Sequence, residues 1–563
     1  MMAGRSAPLQ PAFYCASVLV DLPPDTSATP KEISLPFLKS ADVPQHTRAL
    51  NPPLLAYVLN MEVQETEALL TDGLLISNDQ QTVLELTEKV LLQAKQDRVH
   101  NLPLECSDLV TLQTLFFENG EAVLKGLRRT SGGGTVVWKT DDTVKSALAE
   151  ICSDFYPFTL MPEPRDGLTF GRVEFPKIFH TTKLQNFISA VRSDSIIMKL
   201  FPDGAPSEFA QSTQYFTSFG QGESTNIAVL HENIIRAGSA LASLKNDSSE
   251  SGFIESAWEM LDVVRAILNN KTQTLMVFDI FDLVGLPAET RIDLNPPILR
   301  DIPKGLIRHM PATARPSIDE EGRILGGMLQ RPCTFDVKLV PRSSFPTFKS
   351  DWPVEISLET NSTSRAVVPL ATSMAIEVAT AARWRATVTV DPFSGPRCSW
   401  SNPTSTLARS HIATPEECKR LNELMGTIGS KDTSSIEMAV KRYISATTGR
   451  DEPEDSLVDA VIGLESLFGG RAEIALSVAS GVARLLGDNL ESREELFKRA
   501  KDIYSARSAL VHGNRDKIKK LDVPSLRLSA VELLKRSILT LLEQRDGLLP
   551  LSGSERVRKL VVE

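Results

Sequence analysis

The chain reads as a multidomain α+β protein with mixed α/β N-terminal domains and a C-terminal all-α antiparallel helical bundle. Three observations predict this. The 563 residues are more than one core usually organises, so three or four domains are expected. Runs rich in β-branched and aromatic residues at 274–284, 334–340, 354–359 and 387–391 sit among helix-like stretches. From Ser434 onward, apolar residues recur at helical spacing between glycine stops. The expected divisions are 1–165, mixed α+β; 166–270, mainly helical; 271–400, α+β; and 406–549, the bundle.

The first four hundred residues carry weaker signals. Residues 12–20 are apolar and short, and read as a first strand rather than a signal peptide. Residues 22–53 are rich in Pro, Ser and Thr and read as extended chain. Helices are expected over 81–93, 110–117, 224–244, 255–269 and 370–384. Gly132, Gly133 and Gly134 predict a turn, followed by a short strand through Trp138. No Lys-Ser/Thr ending follows these glycines, so they are not a phosphate-binding loop.

The C-terminal helices are clearer. The first begins at Ser434, with Glu437 three residues on in capping-box spacing, and Ile436, Val440, Tyr443 and Ile444 form its apolar face. The second covers 456–468 and stops at Gly469-Gly470. Its inward stripe of Val458, Val461, Ile462 and Phe468 also contains Glu465. The third covers 471–486, with Ile474, Val478, Ala479, Val482 and Leu485 inward and Gly487 as its stop. The fourth starts near Ser492 and places Leu496, Ala500, Ile503, Arg507 and Val511 on one face. The fifth covers 523–544, with Val531, Leu534, Ile538, Leu541 and Leu542 apolar. Short links favour antiparallel neighbours.

Arg507 and Glu465 are therefore charges on stripes that otherwise want to leave water. Opposite charges on inward faces are expected to meet, or to serve one polar site. A structural ion pair and a functional site both fit this pattern. His512 falls in the last turn of its helix, where the dipole favours a cation, and Gly513 ends the helix.

Composition narrows the field. A hydrophobic share of 42% and a charged share of 23% are those of a soluble globular chain. The net charge of −10 argues against a general nucleic-acid coat. Between Arg493 and Arg536, however, twelve Lys or Arg face six Asp or Glu. Arg515, Lys517, Lys519 and Lys520 follow His512 directly and are read as RNA-steering residues, with a solvated loop as the equal alternative. The six cysteines lack metal-ligand spacing, which fits a reducing cytoplasm and no metal. No apolar run reaches membrane-spanning length. His231 is expected in a core or at its edge, and His180 and His309 have no ligand-spaced partners.

Leu464-Glu465 on one helix, then Arg507-Ser508, three residues, His512 and Gly513 at the end of another, resemble the HEPN superfamily, in particular its Apea-like branch. The resemblance covers 406–549. It implies a metal-independent, cofactor-free endoribonuclease that uses the RNA 2′-hydroxyl and leaves a 2′,3′-cyclic phosphate. By the same resemblance, Arg507 holds the phosphate, His512 moves protons, and Glu465 or Ser508 orients one of them. It further implies a homodimer through the bundle, RNA as partner, and a cytoplasmic antiviral-defence effector held inactive by an N-terminal region that senses an unknown trigger. Many nucleases of the superfamily have Asn or Asp where this chain has Ser508. The alternative is a non-catalytic HEPN-type dimerisation or RNA-binding module in a multidomain interaction protein.

Overall fold

A computed structural model describes residues 37–96, 122–160, 182–201, 213–219, 222–294, 297–340, 362–400 and 409–562, apart from 46, 135, 137, 377, 379, 471, 472 and 514. The chain divides into two compact units. One comprises Met1–Thr169, Val173–Thr213 and Ser224–Lys271; the other comprises Phe170–Arg172, Gln214–Glu223 and Thr272–Glu563. The expectations for 12–20, 110–117 and 354–359, and for His180, lie outside the described residues.

The first unit is mainly helical. Its helices are α1 (Pro52–Leu59), α2 (Val63–Thr71), α3 (Asn78–Gln96), α4 (Val123–Thr130), α5 (Thr143–Thr159), α6 (Thr182–Ser193), α7 (Ile227–Leu244) and α8 (Glu250–Leu268). Strands β1 (Phe37–Leu38) and β2 (Leu74–Leu75) make one short antiparallel pair. Of the stretch 22–53 read as extended chain, residues 22–36 lie outside the described residues, and its end enters α1, where Pro52 fits the first turn because the missing N–H is unneeded there. The expected strand through Trp138 does not form among the described residues. Gly132 makes the turn at φ +86°, and Trp138 packs edge-on against Trp258. His231 is buried against the Phe187 ring.

The second unit joins sheets to helices. Strands β3 (Thr213–Thr217) and β4 (Gly222–Thr225) precede α7, so Ser224, expected in a helix, is in a strand. The main sheet contains β5 (Gln273–Asp282), β7 (Arg291–Asp293), β8 (Ile298–Arg300), β9 (Gly326–Phe335), β11 (Arg383–Asp391) and β12 (Gly395–Trp400), in the order β12-β11-β5-β9-β8-β7. Every pairing in it is antiparallel. Outside this sheet, β6 (Val284–Gly285) pairs with β13 (His411–Ile412), and β10 (Val337–Val340) pairs with β3. A one-turn helix, α9 (Lys304–Ile307), lies between β8 and β9. The helix expected over 370–384 is instead α10 (Ser362–Ala375), and Trp384 belongs to β11. β-Branched and aromatic residues fit a pleated surface better than a helix interior.

From Pro415 onward the described residues hold helices and no strands: α11 (Pro415–Gly429), α12 (Glu437–Thr448), α13 (Pro453–Phe468), α14 (Ile474–Leu486), α15 (Leu490–Val511), α16 (Arg515–Ile518), α17 (Val523–Glu543) and α18 (Gly553–Val562). The architecture is thus mixed α+β. One continuous core runs from Phe281 and Leu329 on the sheet, through α10 and α11, into Leu464, Ile503 and Leu534. The boundary expected between 400 and 406 therefore lies within a unit that shares one core.

Local sequence explains the ends of these helices. Thr414 and Glu417 form a capping box for α11, and Asn489 and Ser492 form one for α15, so α15 starts before Ser492. The box expected from Ser434 and Glu437 does not form: Ser434 lies in a short 3-10 turn, and α12 begins after it. Helices α12 and α13 are antiparallel, since Ser456 meets Ala446 and Asp459 meets Ser445. Helices α13 and α17 run in the same direction, since Arg527 reaches Ser456 and Gly463 lies against Leu534. Arg556 of α18 is fully buried and donates to the carbonyls of Leu467, Leu548, Leu549 and Leu551. It satisfies the Leu467 carbonyl at the end of α13, which fixes the last helix to the one that carries Glu465.

Candidate active site

Arg507 and Glu465 come together. Arg507 Nη2 lies 3.6 Å from Glu465 Oε2, with side-chain exposures of 22% and 21%. The pair sits at the rim of the helices rather than on their inward faces, as the stripes had suggested. The stripe of α15 drifts, because 3.6 residues per turn does not hold one line of positions on one face. Leu496, Ala500 and Ile503 are buried, but the buried positions in the last turns are Ala506 and Ala509. Val511, expected inward, is 53% exposed, and so is Ile474 of α14 at 39%.

Tyr504 completes the arrangement. It lies one turn before Arg507, and the guanidinium carbon stands 5.9 Å from the centre of its ring, in cation–π range. Burial, then the nearby charge of Glu465, raise the Tyr504 phenol above its usual range, while Arg507 opposes the rise. Glu465 therefore acts electrostatically on both a phenol and a guanidinium. Its contact with Arg507 is single and long, not the bidentate fork that saturates such a pair. Arg507 Nε is buried and has no hydrogen-bond partner among the described residues. The guanidinium is held in place with donors to spare.

His512 ends the same helix. Its backbone, at φ −87° and ψ 1°, is the C-terminal cap, and its N–H donates to the Ser508 carbonyl at 3.1 Å. Gly513 follows at φ +66°, the left-handed turn for which glycine is suited. The imidazole is exposed and has no hydrogen-bond or ion-pair partner among the described residues. Ser508 is half-buried, and its hydroxyl likewise has no such partner.

Of the four basic residues after His512, Lys519 and Lys520 are exposed in a turn. Arg515 and Lys517 lie on α16, so the expected loop is partly helical; their side chains lie outside the described residues. Among the described residues, no cluster of three or more His, Cys, Asp or Glu has metal-binding geometry, and no helix is long and apolar enough to cross a membrane.

One polar centre was missed in the sequence. Asp459, 2% exposed, accepts from Arg442 Nη1 and Arg450 Nε at 2.6 Å each and from Ser445 Oγ at 2.7 Å. Burial pushes this carboxyl up, but the bonds from Arg450, Ser445 and Arg442 outweigh it and leave the group below its usual range. A signal was present: Asp459 sits among apolar residues of α13, two arginines precede it, and Ser456 is one turn away. No family profile, curated protein or solved structure matches the chain.

Proposed function

We propose that the chain is a metal-independent endoribonuclease of HEPN type, with Arg507 and His512 as the reactive pair. The observation that carries the reading is the state of these two residues. Arg507 is braced by Glu465 and Tyr504 yet keeps an unsatisfied donor, and an imidazole without a partner ends the same helix. A guanidinium serving only as a structural partner would normally use its donors. A histidine needed only as a cap has no reason to keep its ring free.

The chemistry suits RNA. The 2′-hydroxyl attacks the adjacent phosphorus: the O2′–P bond forms as the P–O5′ bond breaks. One proton leaves the 2′-oxygen and one is delivered to the 5′-oxygen. His512 moves protons, and Arg507 stabilises the charge on the crowded phosphate. Glu465 and Tyr504 keep the fork in position, and Ser508, beside it in sequence, offers a free hydroxyl. Two copies related by a two-fold axis would supply two imidazoles, one as base and one as acid. RNA and a second copy of the chain are the proposed partners, and control by the N-terminal region is the proposed means of restraint.

The test is incubation of the full-length protein with RNA in EDTA, with analysis of the termini. We expect 2′,3′-cyclic phosphate ends, with the rate lowered about 100-fold or more by His512→Ala or Arg507→Ala. Cleavage by His512→Ala at the wild-type rate overturns the assignment. Absence of cleavage, together with a stable dimer, favours the non-catalytic dimerisation module.

A further inference from the structure

Three guanidiniums gather where α12, α13 and α17 meet. Arg442 and Arg450 converge on Asp459, each through one nitrogen. Arg527 comes from α17 and donates Nε to Ser456 Oγ at 2.8 Å. Ser456 lies one turn before Asp459 on α13 and donates to the Ala446 carbonyl at 2.6 Å. The three arginines therefore surround one end of the α12–α13 contact.

Their charges do not balance. Asp459 is the one carboxylate bonded to Arg442 and Arg450, and Arg527 has no carboxylate partner among the described residues. The exposed Asp455 adds a weaker attraction to Arg450. Glu452, Glu454 and Asp455 flank the start of α13; Glu452 and Asp455 face water and are screened by it, and Glu454 is half-buried with no ion-pair partner among the described residues. Arg527 is half-buried, and removing a guanidinium from water without a counter-charge is costly. Three cations against one buried anion leave the cluster two charges short of neutrality, which is the charge of a phosphate dianion. Arg442 and Arg450 keep more than a third of their side-chain surface exposed, so their remaining nitrogens are open to a ligand.

We propose that Arg442, Arg450 and Arg527 form a phosphate-binding site separate from Arg507. In this site Asp459 is not a ligand. It sets two guanidinium forks in place, and the forks supply the planar donor geometry that phosphate oxygens accept. The shared chemistry is a phosphoryl group, whether on a small phosphomonoester or on an RNA backbone. The proposal does not depend on the chain being a nuclease.

The test is calorimetric titration of the full-length protein at low salt with three probes: inorganic phosphate, AMP and a 2′-O-methyl RNA decamer that cannot be cleaved. The variants are Arg527→Gln and Arg450→Gln. Arg527→Gln removes no partner of Asp459, so it decides the matter if Arg450→Gln fails to fold. We expect at least one probe to bind, and each variant to weaken that binding about tenfold. Tighter binding of phosphate or AMP identifies a small-molecule site; tighter binding of the decamer, in competition with phosphate, identifies a strand-backbone site. Failure of all three probes to bind, or an unchanged Kd in Arg527→Gln, overturns the proposal.

Discussion

Helix α13 carries two carboxylates that lead opposite lives. Asp459 is sealed, with three donors at 2.6 to 2.7 Å. Glu465, near the other end of the helix, sits at the rim with one guanidinium nitrogen at 3.6 Å and a phenol beside it. Residue type and helix are alike in this respect; depth and the number of donors differ. A sealed carboxylate cannot release its partners without exposing buried charge, so it behaves as part of the fold. A rim carboxylate gives up its partner at little expense, so Arg507 remains available to a ligand.

Removal of Asp459 is the strongest way to break this contrast. Asp459→Ala leaves two arginines and Ser445 without their acceptor. We expect it to lower unfolding free energy by about 2–4 kcal/mol in urea denaturation, the range for a buried pair discounted for the exposure of both arginines. A loss below about 1 kcal/mol would place Asp459 with ordinary surface pairs. The direction of its pKa shift adds a pH signature. The folded carboxyl lies below the ordinary value of 3.8, so its contribution is complete above that pH. It is lost as pH falls from 3.8 through the lower folded value. Asp459→Asn should flatten this acid limb.

Asp391, the last residue of β11 where the chain turns into β12, sharpens the comparison. It is as deeply buried as Asp459, but its acceptor Oδ1 takes only the backbone N–H groups of Phe393 and Ser394, with no guanidinium bonded to it. Burial pushes its carboxyl up to about 7, and the two N–H bonds offset only part of the rise. The folded group therefore holds its proton at a pH where the unfolded chain has lost it. Its contribution is most favourable below 3.8 and declines as pH rises through 7. Asp391→Asn, neutral throughout, should gain about 2 kcal/mol over the wild type between pH 4 and pH 6. A constant difference across that range would show that burial does not govern this group.

The smallest effects belong to the rim. Glu465→Gln should change stability by no more than about 1 kcal/mol, and His512→Ala by less than about 0.5 kcal/mol, in the same denaturation assay. A loss of several kcal/mol from either would make the site part of the scaffold.

The C-terminal helices were largely legible because they have an apolar period and several end at a glycine stop. Gly469 and Gly487 end α13 and α14 as expected, and Val531, Leu534, Ile538, Leu541 and Leu542 are all buried on α17. The meeting of Glu465 with Arg507 followed from two charges on two stripes. Three of these helices went unread: α11, the one-turn α16 and α18. The start of α11 was signalled by Thr414, Pro415 and Glu417. The reason for α18 was not available locally, since Arg556 is held by four carbonyls, one of them Leu467 on a distant helix. The helix expected over 370–384 failed where local pattern met sheet pairing, because β11 forms against β5 and β12.

The sequence by itself determined where α12 to α15 and α17 lie and which charged residues stand on their stripes, because periodicity and caps act over a few residues. Only the tertiary structure decided depth: that Asp459 is sealed, that Arg507 stops at the rim, and that Val511 faces water. Depth depends on which helices arrive from elsewhere in the chain, and desolvation follows from their packing rather than from any neighbour in sequence.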